Sequence, residues 1–165
     1  MTDASTNGTR ITAEPGSQNI VIEREFRAPR DLVFRAHTDP ELLVQWLGPR
    51  RLTMTVEEYD VRDGGRYHYT HTGDDGTAHG FRGVFHGTPT PDGITQTFEY
   101  VGAPGHITLE TLTLTEDGGV TSLRITSVCQ SVEDREAMLA SGMEQGVAEG
   151  YERLDELAAA LIPAG

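Results

Sequence analysis

The sequence predicts an α+β domain in which an antiparallel sheet of six to seven strands packs on one long C-terminal helix. Three observations lead to this prediction: apolar residues that alternate from residue 18 onward, a series of hairpin turn signals, and apolar residues at helical spacing near the C-terminus. A chain of 165 residues suits one compact domain and is long enough to bury a substantial apolar core.

The first strand follows a polar N-terminal segment. Residues 1–17 have no hydrophobic period and are rich in small polar residues, which is typical of a disordered tail. We therefore expect the domain to cover residues 18–165. Ile20, Ile22 and Phe26 then fall on one side of an alternating segment, which predicts the first strand.

Two short helices are predicted after this strand. The stretch that follows Pro29 favours the first of them. Asp39-Pro40 is a start signal for the second helix, which ends before Gly48-Pro49 because neither residue continues a helix well.

Turn signals divide residues 51–129 into six further strands. The signals are Asp63-Gly64-Gly65, Gly73-Asp74-Asp75-Gly76, Pro91-Asp92-Gly93 and Glu116-Asp117-Gly118-Gly119. Strands joined by such short turns lie next to each other, so the order along the chain predicts an antiparallel meander.

The C-terminal segment has apolar residues at the spacing of an amphipathic helix. They are Leu139, Met143, Val147, Leu154, Leu157 and Leu161. We therefore expect one long helix over residues 132–162.

Three glycines occupy one face of this predicted helix, namely Gly142, Gly146 and Gly150. Each costs a helix up to about 1 kcal/mol relative to alanine, so a stripe of them needs a reason. One interpretation is close backbone packing against another element. The other is space left open, which can hold a ligand.

The turns also predict which residues face each other across the sheet. A hairpin tip at residues 74–75 places Tyr69 opposite Phe81 and Tyr67 opposite Gly83. The same register places the two histidines nearest the tip opposite each other.

A second hairpin predicts the same sheet face. A tip at residues 91–92 places Phe85 opposite Phe98 and Gly83 opposite Tyr100. Six of the chain's aromatic residues then share this face: Tyr67, Tyr69, Phe81, Phe85, Phe98 and Tyr100. The opposite face is expected to be polar, without a dominant apolar stripe.

An aromatic sheet face opposite a glycine-striped helix predicts a small-molecule cavity lined by apolar surface and a few hydroxyls. The candidate pocket residues are Trp46, Tyr67, Tyr69, Phe81, Phe85, Phe98, Tyr100, Met143, Val147 and Tyr151. The alternative is an ordinary solid core, in which the glycines serve helix-to-sheet contact and Trp46 packs over the end of the sheet.

Two charged residues interrupt apolar faces and are candidate polar anchors for a ligand. Arg24 lies between Ile22 and Phe26, and Glu110 faces Ile125 if the last hairpin turns at Glu116 to Gly119. Glu110 is a possible partner for Arg24. A structural or solvated role is the alternative for each residue, because a slip of one residue would place Glu110 in water.

Composition excludes several classes of function. The formal net charge of -13 and a pI near 4.7 disfavour nucleic acid and anionic membranes as partners. All 13 basic residues are arginine, so Schiff-base chemistry and a phosphate-loop lysine are excluded. A single cysteine, Cys129, and the lack of a long apolar run lead us to expect a cytoplasmic protein without membrane insertion.

The histidines give a weak metal hypothesis and no catalytic motif. His71 and His79 lie near Asp74 and Asp75, a set that could bind zinc or nickel, but an exposed polar hairpin tip explains them as well. We therefore predict no metal and no cofactor. Acid–base chemistry by tyrosines, His71 or Glu110 in a cavity stays open, and no catalytic residue is assigned.

An ordered set of motifs resembles a known family. The motifs are Glu25-Phe26-x-Ala28-Pro29, Asp39-Pro40, Trp46-x-Gly48-Pro49, Asp60-Val61-Arg62-Asp63-Gly64-Gly65, and Gly142-Met143 through Gly146 to Leu154. Over residues 18–162 the chain resembles bacterial homologues of the heat-shock protein 90 ATPase activator, within the START-like (SRPBCC) superfamily. This resemblance implies a helix-grip fold, in which a strongly curved antiparallel sheet grips the long C-terminal helix.

The residue patterns and the resemblance together lead to three functional hypotheses. Superfamily members bind lipids, polyketides, hormones or other hydrophobic molecules between sheet and helix, so binding of a small hydrophobic or aromatic ligand leads. A cofactor-independent enzyme, similar to a cyclase or aromatase, would use the same cavity. A chaperone ATPase regulator would act through protein contacts, and a homodimer is the other protein partner left open.

Overall fold

The chain forms one open sheet with four helices in a computed structural model that describes residues 2–6 and 8–162. The strands are β1 (Thr2–Thr6), β2 (Thr9–Ala13), β3 (Asn19–Phe26), β4 (Thr53–Tyr59), β5 (Arg66–Thr72), β6 (Ala78–Val84), β7 (Gly93–Tyr100), β8 (Ile107–Asp117) and β9 (Val120–Val128). The helices are α1 (Arg30–Thr38), α2 (Pro40–Leu43), α3 (Val132–Ala140) and α4 (Met143–Leu161).

All the pairings between neighbouring strands are antiparallel, in the order β1-β2-β3-β9-β8-β7-β6-β5-β4. Strand β3 therefore joins the N-terminal hairpin to the meander through β9, while α1 and α2 span the connection from β3 to β4. The predicted α+β class, the two short helices after β3 and the antiparallel meander are confirmed.

The N-terminal segment differs from the prediction of a disordered tail. Within residues 1–17, β1 and β2 form a hairpin, and β2 pairs with β3. The side chains of Thr9, Ile11 and Ala13 alternate inward, and Ile11 is only 3% exposed. Three inward side chains among polar neighbours are too weak a period to recognise in the sequence. With the two extra strands, the described residues contain nine strands, whereas six to seven were predicted.

The C-terminal helix is broken where one long helix was predicted. Helix α3 ends at Ala140, and Gly142 has a φ of 86° before α4 begins. This left-handed conformation suits glycine and does not continue a helix. Gly142 therefore separates two helices and does not belong to a stripe.

Close backbone packing explains the glycine at position 150. A β-carbon there would lie 3.2 Å from the Gly48 nitrogen and 3.3 Å from the Trp46 carbonyl oxygen. Arg153 of the same helix donates hydrogen bonds to the carbonyl oxygens of Gln45 and Gly48. Helix α4 is thus fastened to the loop after α2, and Gly150 does not leave space for a ligand.

Replacing Gly146 and Gly142 with alanine is expected to have opposite effects. At Gly146 a β-carbon would meet only the Pro49 Cδ atom at 3.6 Å, so Gly146→Ala should stabilise the protein by up to about 1 kcal/mol. Gly142→Ala should destabilise it by about 1 kcal/mol because of the positive φ. Urea unfolding of both variants measures this, and equal signs would contradict the assignment of the helix break.

The strand registers preserve the predicted faces, with a two-residue correction in two hairpins. In the β5–β6 hairpin, Tyr69 pairs with Phe81 and Tyr67 with Gly83, as predicted. In the next hairpin, Tyr100 pairs with Phe81 instead of Gly83. A shift of two residues changes the partner but keeps the side chain on the same face.

The last hairpin has a tighter turn than predicted. Asp117 pairs with Val120, so only two glycines form the turn, both with positive φ as such a turn requires. Glu110 consequently pairs with Ser127 and not with Ile125. It stays on the inner face, which is the sheet face that carries the aromatic residues.

Candidate functional site

The six aromatic residues of the inner face form one connected ring network. Their centroid distances are 5.9 Å for Tyr67–Tyr69, 5.5 Å for Tyr67–Phe85 and Tyr69–Phe81, and 5.3 Å for Phe81–Phe98 and Phe81–Tyr100. The predicted shared face is therefore confirmed as geometry. Whether these residues bind a ligand is a separate question.

Trp46 belongs to a second ring group, inside the core. Its indole Nε1 donates to the Ala36 carbonyl oxygen at 2.9 Å, and its ring stacks on Tyr151 with centroids 5.8 Å apart. Tyr151 in turn contacts Phe26 edge-on. With an exposed fraction of 2%, Trp46 is a core residue and not an open pocket wall.

Burial divides the ten candidate pocket residues into two sets. Trp46, Tyr67, Tyr69, Phe85 and Tyr151 are buried. Phe81, Phe98, Tyr100, Met143 and Val147 are only half-buried, and we call these five the half-buried set. The helices therefore cover the inner face incompletely on the side of β6 and β7.

Contacts connect α4 to the loop after α2, and α3 to the start of β8. A β-carbon added at Gly146, in the first turns of α4, would lie 3.6 Å from the Pro49 Cδ atom, and one added at Gly48 would collide with the His71 ring at the end of β5. Helix α3 is joined to the start of β8 by His106, whose Nδ1 lies 2.9 Å from the Asp134 carboxylate. The loop after α2 thus lies between α4 and the end of β5, and α3 lies beside the start of β8.

A row of polar side chains crosses the middle of the inner face. Gln96, Glu110 and Ser127 are neighbours on β7, β8 and β9. The Gln96 amide donates to Glu110 Oε1 at 3.0 Å and lies 3.4 Å from the Tyr67 hydroxyl. Ser127 Oγ is 3.5 Å from Glu110 Oε2. We call these three residues the polar row.

Glu110 is the electrostatic centre of this row. Burial raises the pKa of its carboxyl group, while the hydrogen bonds from Gln96 and Ser127 act in the opposite direction. Within residues 8–162 no arginine or histidine forms an ion pair with it. Its side chain nevertheless keeps some accessible surface.

Three tyrosines surround the Glu110 carboxyl group. Burial raises the pKa of Tyr67, Tyr69 and Tyr151, and the nearby charge of Glu110 raises all three further. The Tyr67 hydroxyl donates to the Thr97 carbonyl oxygen at 2.5 Å. No hydrogen bond joins the hydroxyls of Tyr69 and Tyr151 to any side chain that the structure describes.

Arg24 does not reach the polar row. Its guanidinium pairs with the Asp155 carboxylate of α4 at 2.8 Å and lies 5.1 Å from the centroid of the Phe26 ring. The suggested pairing with Glu110 is therefore wrong. Arg24 fastens α4 to β3, which is the structural role left open for it.

The two histidines near the hairpin tip do face each other, but they are not an exposed polar tip. His71 is buried against Gly48, and the His79 Nδ1 atom lies 2.8 Å from the Tyr100 hydroxyl. Burial, helped by Arg153, lowers the pKa of His71 to about 4. No group of three or more metal-ligating side chains occurs among the described residues.

Two openings lie on other surfaces. One, of about 370 Å³, lies on the back of the sheet beside His68 and Arg82. The other, of about 1040 Å³, lies beside Arg24, Arg27 and Asp155. Neither is lined by Glu110 or by the half-buried set.

The back of the sheet carries an apolar patch where a polar surface was expected. Leu109 pairs with Val128 across β8 and β9, and Ile107 is near them on the same face. Leu109 is 44% exposed. The apolar residues of this patch stand among threonines in the sequence. No continuous apolar run therefore marks the patch.

No helix among the described residues is long and apolar enough to cross a membrane.

The antiparallel sheet closed by a C-terminal helix, with two short helices after β3, is the START-like (SRPBCC) helix-grip fold. The chain belongs to the family of Activator of Hsp90 ATPase homolog 1-like proteins, whose sequence model matches residues 27–159. The resemblance seen in the sequence motifs is therefore confirmed.

Solved structures of bacterial proteins share this fold. A protein from Rhodobacter sphaeroides is 31% identical with a TM-score of 0.82, and the match covers 93% of this chain and 99% of that one. A protein from Arthrobacter aurescens is 28% identical with a TM-score of 0.83, covering 94% and 92%. The AHSA1 protein from Silicibacter pomeroyi is 20% identical with a TM-score of 0.70, covering 86% and 97%. No curated protein sequence matches the chain.

Proposed function

We propose that the protein binds a small, largely apolar molecule between the inner sheet face and helices α3 and α4. The half-buried set would contact the apolar body, and the polar row would contact one polar group. The observation that carries this proposal is Glu110: a desolvated carboxylate with accessible surface, placed in the middle of an aromatic face.

An ordinary core does not account for this arrangement. Protein interiors are close-packed, and their buried polar groups have hydrogen-bond partners. Here Met143 and Val147 are incompletely covered, and the hydroxyls of Tyr69 and Tyr151, which keep some accessible surface, have no hydrogen-bond partner within the described part of the chain. A bound molecule would cover Met143 and Val147, and it would supply hydrogen-bond partners to the hydroxyls of Tyr69 and Tyr151.

The family supports the same function. Members of this family and superfamily commonly bind hydrophobic ligands in the helix-grip fold, which the chain has. A lipid or a polyketide is the specific kind of ligand that we propose.

Catalysis on the bound molecule is a second candidate, and Glu110 is the observation that favours it. A buried carboxyl group with a raised pKa can serve as a general acid. Chaperone regulation rests on the family description alone. Conversion of a bound molecule, followed by mass spectrometry, would separate an enzyme from a binding protein.

Filling the space above the half-buried set is expected to abolish ligand binding. The test uses prodan, an uncharged naphthalene fluorophore whose emission rises and shifts to the blue in apolar sites. We expect Val147→Trp to weaken prodan binding at least about ten-fold, because the larger ring occupies the space of the ligand.

The matched control is Gln145→Trp, which adds the same ring to the exposed side of α4. This variant should bind prodan as the unmodified protein does. Equal binding by Val147→Trp and Gln145→Trp, with both variants folded by circular dichroism, would contradict the proposed site.

A further inference from the structure

We propose that the polar group of the bound molecule is a protonated amine, with the Glu110 carboxylate as its counter-ion. This inference rests on the proposed function and names the chemical class of its ligand: an apolar ammonium compound. Three features of the site support it, namely an uncompensated charge, unused hydrogen-bond acceptors and an aromatic surrounding.

Glu110 differs from the other carboxylates that lie partly inside the fold. Glu99 pairs with Arg82 at 2.9 Å, and Asp155 pairs with Arg24 at 2.8 Å. Glu110 has no cationic partner among residues 8–162. Buried charges in proteins are usually paired, because an isolated charge in a poorly solvated site is costly. A cationic ligand would remove this cost.

The Glu110 carboxylate also has unused hydrogen-bond acceptor positions. An ionised carboxylate has about four lone-pair positions. Gln96 fills one with a hydrogen bond of 3.0 Å, and Ser127 approaches another at 3.5 Å, at the limit of a hydrogen bond. An ammonium group has up to three N–H donors and no acceptor, so it matches the unused positions. Gln96 is held in place by its second contact with the Tyr67 hydroxyl.

Aromatic rings border this charge on both sides of the space. Tyr67 and Tyr69 stack on the sheet, Phe81 follows beside Tyr69, and Tyr151 lies on α4. Aromatic rings stabilise cations placed over their faces. The formal net charge of -13 further attracts cations to the protein and repels carboxylates.

A matched set of probes tests the inference by isothermal titration calorimetry at pH 7. The probes are 2-(1-naphthyl)ethylamine, 2-(1-naphthyl)ethanol and 3-(1-naphthyl)propanoate, which share an apolar body and differ in the polar group. We expect the amine to bind at least about ten-fold more tightly than the alcohol, and the carboxylate to bind most weakly.

The Glu110→Gln variant shows whether this preference comes from the carboxylate. It keeps the shape of the side chain and removes the charge, so the affinity for the amine should fall at least about ten-fold while the affinity for the alcohol changes little. Glu133→Gln, an exposed position on α3, is the control and should change neither affinity.

The outcomes distinguish this inference from the proposed function. If the amine and alcohol bind equally while Val147→Trp still blocks prodan, the site exists and only the amine preference is wrong. The same conclusion follows if Glu110→Gln leaves the affinity for the amine unchanged. If Val147→Trp does not affect prodan, the proposed site itself is wrong, and the amine inference falls with it.

Discussion

Lowering the pH from 7 to 4 is expected to remove about 3 kcal/mol of folding free energy through His37 alone, because burial lowers its pKa from 6.5 to about 4. Its ring packs edge-on against Trp46 with centroids 4.8 Å apart, and Nδ1 hydrogen-bonds the Val33 carbonyl oxygen at 2.7 Å. The buried Nε2 has no partner among the described residues. A proton there would create an unpaired charge in the core.

The sign of the effect follows from proton uptake. Below pH 6.5 the unfolded chain protonates His37, whereas the folded protein keeps it neutral down to about pH 4. The unfolded state therefore binds more protons in this window, and stability falls as the pH falls. His71, with its pKa also lowered to about 4, adds a smaller loss because part of its ring is less completely shielded from solvent.

Protonation of Glu110 opposes the loss of folding stability that the histidines cause at low pH. Burial raises its pKa in the folded state, so the folded protein takes up this proton first and gains stability as the pH falls. Glu99 and Glu156, whose pKa values are lowered by hydrogen bonds from partners, lose their contribution only below about 4.5. The change in stability between pH 6.5 and 4.5 is therefore the loss at the two histidines minus the gain at Glu110.

Urea unfolding at several pH values tests the assignment to His37. The His37→Phe variant keeps an aromatic ring and cannot titrate, so its stability should decline much less between pH 6.5 and 4.5. His86→Gln is the control, since His86 is exposed, and it should retain the full decline. A His37→Phe variant with the same pH dependence as the unmodified protein would contradict the account.

Gly83→Ala is expected to destabilise the protein by about 3 kcal/mol, the upper range for overpacking a filled site. A β-carbon at this position would lie 1.9 Å from the Thr97 carbonyl oxygen and 2.6 Å from the Tyr67 Cε2 and hydroxyl atoms. The Thr97 carbonyl oxygen belongs to the backbone of β7 and cannot move without it, so β6 and β7 would have to separate. Tyr67 lies opposite Gly83, and its ring fills the space that a side chain at this position would need.

The same substitution should also disturb the polar row. Tyr67 donates to Thr97 at 2.5 Å and lies 3.4 Å from the Gln96 amide, so displacement of its ring moves the residue that holds Glu110. Prodan binding should therefore weaken together with stability.

Gly80→Ala is the matched control on the same strand. Its β-carbon would meet side-chain atoms of Val101 and His68 at 3.2 Å or more, and these can move. We expect a loss below about 1 kcal/mol for this variant. Similar unfolding midpoints for Gly80→Ala and Gly83→Ala would show that the close approach at Gly83 has been misassigned.

The sequence was most informative where a local pattern repeats. Alternation and turn residues predicted the antiparallel meander, and the side-chain period of two kept Tyr100 and Glu110 on the correct face although their registers shifted by two residues. Faces are therefore more predictable than partners, because a partner depends on the length of the turn. The Gly118-Gly119 turn shows this directly.

The remaining features depend on contacts between distant segments. The reason for Gly150 is the loop at Gly48, about a hundred residues earlier, which no local pattern reveals. Gln96 and Ser127 were missed as partners of Glu110 for the same reason, since each is unremarkable within its own strand. A search for polar residues at inward positions of neighbouring strands would have found them.

The most direct test of the central claim is the position of a bound apolar molecule, measured by nuclear Overhauser effects between prodan and methyl-labelled protein. The account predicts effects from the methyl groups of Met143 and Val147, which belong to the half-buried set. Effects confined to Leu123 and Ala159, which line the large opening beside Arg24, would place the molecule elsewhere and contradict the proposed site.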